Sequence, residues 1–338
     1  MTERMLTELD DLPEGLLDLP AHRLHEVLKG PTLIHLPGRR KPPLFVSVLL
    51  HGNEDVGLKA VQTLLRRIEA LPRALSIFIG NVGAARHGAR FMPDQPDFNR
   101  VWPGGDFADS WEARTLAEVV GIMAARGVFA NVDIHNNTGL NPHYACINRL
   151  DHRFLQLALL FSRTVVYFVQ PKGVQSMAFA GLCPATTLEC GKPGYARGEQ
   201  HATNYLEACL RLAELPTHPV VEQDIDLFHT VAVVKLLPEA SFSFGGDAAE
   251  VRFDNDLDRF NFHELPAGTV LAEIAADGPV RLSVTDERGE DVTRRYFVNQ
   301  EGRLTLKKSV MPSMLTLDEE IVRQDCLCYL MERVAIPQ

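Results

Sequence analysis

Two histidines and two glutamates stand where apolar stretches of the chain end. His51-Gly-Asn-Glu54 follows the run 44–50, His135 ends the run 128–134, and Glu189 follows the short run 185–188. Two His and one Glu form a ligand set of catalytic zinc sites, with the fourth position open to water. Zinc in such a site polarises a carbonyl and brings the pKa of its water near neutrality. His-x-x-Glu alone is common in ordinary loops. The second imidazole, at the end of another apolar run, is what makes a set of His51, Glu54 and His135. Gly52 would let the backbone bend sharply between them. Hydrolysis also needs a proton acceptor, and Glu189 is the candidate general base. Partial desolvation at a strand end would lift its pKa toward the working range. Asp133, two residues before His135 and on the same side of a strand, is placed to fix the imidazole tautomer.

A second group of residues suits an anion. Asp97-Phe-Asn99-Arg100 lies in a stretch rich in Gly, Pro, Asp and Arg. Arg100 offers a forked donor for a carboxylate, and Asn99 adds a directed one. Arg90, upstream in the same stretch, could stabilise a developing oxyanion, with Arg86 as its competitor.

These groups require a scaffold that brings several strand ends together. Residues 32–36, 44–50, 75–82, 128–134, 164–169 and 185–188 read as strands. Residues 57–71, 110–126, 153–162 and 200–215 read as helices, the second opened by a Ser110 cap. Residues 84–105 read as a long irregular segment of the kind that carries function. This alternation predicts an α/β domain with a parallel or mixed sheet covered on both faces. After about residue 222 the pattern turns to short strands at 228–237, 242–244, 270–274, 280–284 and 303–306. The expected division is a catalytic domain, 1–222, with a peripheral lead-in over 1–30 and a short helix near 21–29. A smaller β-rich domain would span 223–338.

Composition narrows the classes. A net charge of −10 argues against nucleic-acid binding, which needs a basic face. No apolar stretch is long and uninterrupted enough to span a bilayer. The acidic start, Met1-Thr-Glu-Arg, has no signal-peptide core. The six cysteines form no zinc knuckle and are expected as reduced thiols in a cytoplasmic protein.

In order along the chain, His-x-x-Glu, Asn-Arg, Asp-x-His-Asn and Thr-Leu-Glu-x-Gly resemble the succinylglutamate desuccinylase/aspartoacylase family, a branch of the zinc carboxypeptidase-like hydrolases. The motifs cover residues 44–195, and Phe262-His-Glu-Leu-Pro-Ala-Gly is similar to the family's β-domain linker. The resemblance implies a zinc-carboxypeptidase-like mixed sheet flanked by helices. It implies one Zn2+ held by His51, Glu54 and His135. Glu189 would be general base and then proton donor to the leaving amine, and Arg90 would assist at the oxyanion. Asn99 and Arg100 would hold the α-carboxylate of the substrate. Asn136, in the Asp-x-His-Asn motif, joins the substrate-binding residues, and a Tyr such as Tyr296 would reach the site. The implied substrate is a small N-acyl amino acid, and a homodimer is the expected assembly.

One departure stands out. Aspartoacylases carry an Arg upstream of the general base that reads an acidic side chain. Here that neighbourhood, residues 173–181, holds no Arg, and Lys172 lies at its edge. A buried charge without a partner is costly. The chain is therefore expected not to be a true aspartoacylase, and Gln175, Ser176, Met177 and Phe179 would form a neutral or apolar specificity pocket. A metallocarboxypeptidase acting on short peptides shares the same ligands. A zinc-binding protein without catalysis is the third reading, against which Glu189 argues.

Overall fold

The computed structural model describes residues 5–105, 108–246 and 248–336. The first four residues of the expected lead-in, with which the reading of the chain's start begins, lie outside them. The elements run β1 (Thr7–Leu9), β2 (Thr32–Leu36), β3 (Leu44–Val48), α1 (Val56–Arg67), β4 (Leu75–Ile79), α2 (Val82–His87), α3 (Trp111–Arg126), β5 (Ala130–His135), β6 (Tyr144–Ile147), α4 (His152–Leu159), β7 (Thr164–Tyr167), α5 (Gln175–Phe179), β8 (Ala185–Glu189) and α6 (Ala196–Arg211). The second half continues with β9 (Asp226–Leu236), β10 (Phe242–Phe244), β11 (Val251–Phe253), β12 (Val270–Ile274), β13 (Leu282–Asp286), α7 (Thr293–Tyr296), β14 (Phe297–Gln300), β15 (Arg303–Leu306), β16 (Met311–Ser313), α8 (Glu319–Gln324) and β17 (Cys328–Arg333).

The large sheet is mixed, in the order β1-β2-β4-β3-β5-β8-β6-β7-β9-β17-β16, with β13 also paired to β9. Its centre, β4-β3-β5-β8, is parallel. Strands there are buried along their whole length, as a sheet covered on both faces requires. The sheet runs on past residue 222, because β9 pairs in parallel with β7 and then carries β17 and β13. A second sheet, β10-β11-β12-β15-β14, shares a second hydrophobic core with β9, β13 and β17 of the large sheet. The lead-in is less peripheral than its sequence suggests. It supplies edge strand β1 and a 3-10 helix, Ala21–Glu26, and Gln62 of α1 donates to the carbonyls of Leu16 and Leu19.

Local signals explain several boundaries. Ser110 caps α3 as expected, accepting from Ala113 N. The stretch 84–105 is not irregular throughout. Its start belongs to α2, opened by the Asn81 carboxamide on Ala84 N and closed by Gly88 in the left-handed conformation at φ 62°. Strands β6 and β17 have no clear signature in the sequence. β6 has only four residues and lies antiparallel to β8, between segments rich in polar and turn residues. No described helix is long and apolar enough to cross a membrane. All six cysteines are buried as free thiols.

Candidate active site

The carboxyl ends of β3, β5 and β8 meet along one edge of the sheet, the usual position for ligand sites in parallel α/β sheets. His135 is the last residue of β5, and Glu189, the last of β8, is its direct register partner. His51 lies just beyond β3. The chain leaves that strand through Leu49, a buried residue at φ 54°. Such a conformation costs a non-glycine residue about 1–3 kcal/mol and persists only where packing enforces it. Gly52 is required for a different reason from the bend expected. A Cβ there would lie 2.2 Å from Ala85 N, so the glycine permits the His51 turn to press against α2.

Glu54 sits between the two imidazoles. Its Oε1 is 2.8 Å from His51 Nδ1 and its Oε2 is 2.8 Å from His135 Nδ1. The ligand atoms of the three residues lie within 4.8 Å of one another. Each imidazole is gripped from behind through Nε2: His51 by Asp97 at 2.9 Å and His135 by Asp133 at 2.7 Å. Asp133 also accepts from Ser47 Oγ. Without an ion, Nδ1–H of each ring donates to Glu54 and Nε2–H to its aspartate; loss of the Nδ1 protons would leave Nε2–H on the aspartates and free both Nδ1 lone pairs for an ion. That is the tautomer a metal ligand needs.

Electrostatics fit a cation here. Burial disfavours charged imidazoles, and Arg90 adds to that at His51. Asp97 and Glu54 outweigh both, so the His51 pKa is raised. At His135, Asp133 and Glu54 overcome burial, and the pKa is raised well above the ordinary value. Burial pushes the Glu54 carboxyl up, but the two imidazoles hold it far below the usual carboxylate range. The three carboxylates around the two imidazoles make this a position of concentrated negative charge that could hold a metal ion.

Glu189 behaves differently. Burial raises its pKa to about 7, with Glu54 and Asp133 adding to the rise and His135 and Asn137 opposing it. The Asn137 carboxamide donates to Glu189 Oε2 at 3.2 Å and is itself held by Asn141. This is a carboxyl group able to exchange a proton near neutral pH.

Other expected residues take more specific positions. Arg90 lines the pocket and reaches Asp97 at 3.1 Å, Glu54 at 3.4 Å and Asp325 at 3.4 Å, whereas Arg86 is exposed on α2. Arg100 lines the pocket, donating to Asn99 O and, at 3.1 Å, to Asp325. Asn99 accepts from Gln175 N and has its Nδ2 3.3 Å from His135 Nε2. Asn136 lines the pocket with its side chain shared between Val56 N and Gly191 O, and its own N donates to Glu54. It ties three strand ends together.

The expected specificity pocket is corrected by packing. Gln175, Ser176 and Phe179 are fully buried on α5, beneath the site rather than facing it. Phe179 stacks on Phe45 at 4.6 Å and meets Trp102 edge-on, and the Gln175 carboxamide pairs with Asn131. Met177 does not line the cleft either, and Lys172 is exposed. The apolar wall comes from Tyr144, Val166, Phe168, Val174, Met314 and Tyr329. Tyr296 is buried in the second core, away from the cleft. The segment that closes the cleft is held by Thr138 Oγ1 to Thr316 Oγ1 at 2.7 Å and by Gly139, where a Cβ would lie 2.0 Å from Leu315 O. Sequence reasoning did not single out Asp97, Asn137 and Asp325. Asp97 adjoins a motif and was legible in principle. Asp325 had no local signal.

The mixed sheet carries, at its parallel strand ends, a His-Glu-His cluster that could hold a metal ion. Residues 41–215, just over half of the chain, match the model of the succinylglutamate desuccinylase/aspartoacylase catalytic domain, and the chain belongs to that family of deacylating hydrolases. No curated protein matches it. Among solved structures, it is similar to a succinylglutamate desuccinylase/aspartoacylase from Rhodobacter sphaeroides, with 14% identity over 89% of this chain and 88% of that one and a TM-score of 0.59. The succinylglutamate desuccinylase of Chromobacterium violaceum gives 18%, 80%, 86% and 0.52 on the same measures. Murine aminoacylase 3 gives 14%, 87%, 97% and 0.50. At these identities the likeness concerns the fold.

Proposed function

We propose that the protein is a zinc-dependent amidohydrolase that cleaves a small N-acylated amino compound into a carboxylic acid and an amine. The observation that carries this reading is the pairing of sites at adjacent strand ends. Two Nδ1 atoms converge on Glu54, and the protonatable Glu189 stands in register with His135. His51, Glu54 and His135 would hold the metal, and zinc is favoured by the nitrogen and carboxylate donors. When bound, the ion supplies Lewis acidity to the substrate carbonyl and to a water molecule.

The rest is the work of the chain. Glu189 accepts the proton of the attacking water and passes it to the leaving nitrogen, a transfer for which a pKa of about 7 is matched. Arg90, anchored by Asp97, presents a fixed positive charge to the oxygen on which negative charge develops. Asp97 and Asp133 keep the imidazoles oriented. The cleft offers about 140 Å³, room for a small molecule. The names of the relatives, desuccinylase and aminoacylase, agree with acyl-amide cleavage.

The test is amine release from a panel of N-acyl amino acids, their amides and short peptides. Zinc-loaded protein would be compared with chelator-stripped protein and with Glu189→Gln. Turnover of small acyl amides that is lost in both controls is the expected result. Turnover of peptides alone would move the protein to the carboxypeptidases, and silence with zinc bound would leave a binding role.

A further inference from the structure

Among the described residues lining the cleft, Arg90 and Arg100 are the only lysine or arginine side chains. Neither is free. Asp325 places Oδ1 3.1 Å and Oδ2 3.2 Å from Arg100 Nη2, and its Oδ2 is also 3.4 Å from Arg90 Nη2. Arg90 is further committed to Asp97. The carboxylate that would match these guanidinium groups is thus supplied by the protein itself.

Asp325 is a fixed part of the wall. Its backbone N closes α8 on Ile321 O, and α8 is capped at its other end by Asp318. Two residues later Leu327 N donates to Val234 O of β9, in the middle of the large sheet. Side-chain exposure is 21% for Asp325 and 11% for Arg90, so solvent screening is limited. Although burial opposes it, Arg100 and Arg90 keep the Asp325 carboxyl ionised to lower pH than usual. A substrate carboxylate arriving at Arg100 would meet this like charge at short range. Displacing Asp325 would strand it, and removing one partner of a buried pair is costly. The remaining wall gives no substitute cation. It offers Tyr144, Val166, Phe168, Val174, Met314 and Tyr329, together with Asn53, whose Oδ1 is buried without a partner and is an acceptor that an N–H could satisfy.

We infer that Asp325 is a specificity-determining residue that occupies the carboxylate subsite, and that the preferred substrates are N-acyl amines whose carboxyl group is absent or masked as an amide. This inference rests on the hydrolase reading above. It makes the cleft select neutral substrates by placing a like charge against anionic ones.

The experiment compares N-acetyl-leucine and N-acetyl-phenylalanine with their N-methylcarboxamides, reading release of the α-amine. Wild type, Asp325→Asn and Asp325→Ser are each loaded with zinc. The ratio of the two forms on one preparation cancels any loss of folded protein. Calorimetric binding of the same four compounds to zinc-loaded Glu189→Gln gives a readout independent of turnover. The expected result is that wild type favours the masked forms in kcat/KM and in binding. Each Asp325 variant should shift the ratio toward the free acids by about tenfold or more, chiefly through KM. Preference of wild type for the free acids, with a ratio that Asp325 variants leave unchanged or lower, would overturn the inference and leave the hydrolase reading standing. If none of the four compounds is hydrolysed or bound, both the inference and the small-amide reading fail. Release of methylamine from the masked forms in place of the α-amine would overturn the inference and move the cleavage from the acyl amide to the carboxyl-side amide.

Discussion

The two walls of the cleft are built in opposite ways. One wall is made of strand ends: His51 after β3, His135 closing β5 and Glu189 closing β8. Its polar side chains are locked by hydrogen bonds within a few residues (His51 to Glu54, His135 to Asp133), between neighbouring strand ends (Ser47 to Asp133, Glu54 to His135) and to Asp97 of the segment after α2. The other wall comes from residues 313–329, on β16, α8 and β17, whose side chains reach the site only because β17 pairs with β9. In the proposed function the first wall carries the chemistry. There the second wall, with Asp325, Met314 and Tyr329, decides what fits. The contrast teaches that catalytic geometry here is a property of the parallel sheet. Selectivity is added by chain from the far end of the sequence.

This division can be broken most severely at the first wall. His135→Ala should abolish stoichiometric zinc binding and lower kcat/KM by about 10³-fold or more, since the ion's contribution to the transition state goes with it. Metal analysis beside steady-state kinetics checks this, and full activity without bound metal would remove the wall's assigned role. Glu189→Gln should retain zinc yet lose about 10²–10⁴-fold in kcat. The sign of its pH dependence follows from a raised pKa. Below about 7 the Glu189 carboxyl is protonated and cannot accept a proton, so kcat should fall on the acid side. A bound dication would pull that limb lower, and the variant should lack it.

Phe179 offers a sharper test of which wall selects. Because it is fully buried against Phe45 and Trp102, Phe179→Ala should cost about 3–5 kcal/mol in denaturant unfolding and leave the preference among acyl groups unchanged. A changed preference at unchanged stability would return α5 to the specificity pocket. The mildest expected effect is at Asp133. Asp133→Asn keeps the size but loses the anionic grip on His135 Nε2, so zinc affinity should weaken about 10–100-fold in competition with a chelator. An unchanged affinity would mean that the Asp133 charge has no part in orienting the imidazole.

How much of this was legible follows from how each residue is placed. The His51-Glu54-His135 cluster was readable because largely apolar runs of four to seven residues announce buried strands, and the residue where such a run stops must emerge at the sheet's edge. Asp133 was readable by the period of two along a strand. Asn99 and Arg100 were readable as chemistry, but their partners were not. Gln175 and Phe179 were misplaced because a short helix beneath the sheet has the same composition as a pocket lining. β6 and β17 escaped because a few residues held by pairing with distant strands leave no periodicity of their own.

The sequence by itself therefore determined the α/β scaffold and the gathering of His51, Glu54, His135 and Glu189 at its strand ends. In each case a local pattern, three residues apart or at the end of one strand, carries the information. Only the tertiary structure decided that Arg100 meets Asp325, 225 residues away, and that Tyr144 and Tyr329 face the cleft while Tyr296 does not. Such contacts depend on the order and register of strands across a twelve-stranded sheet, and no local pattern of residue types encodes that order.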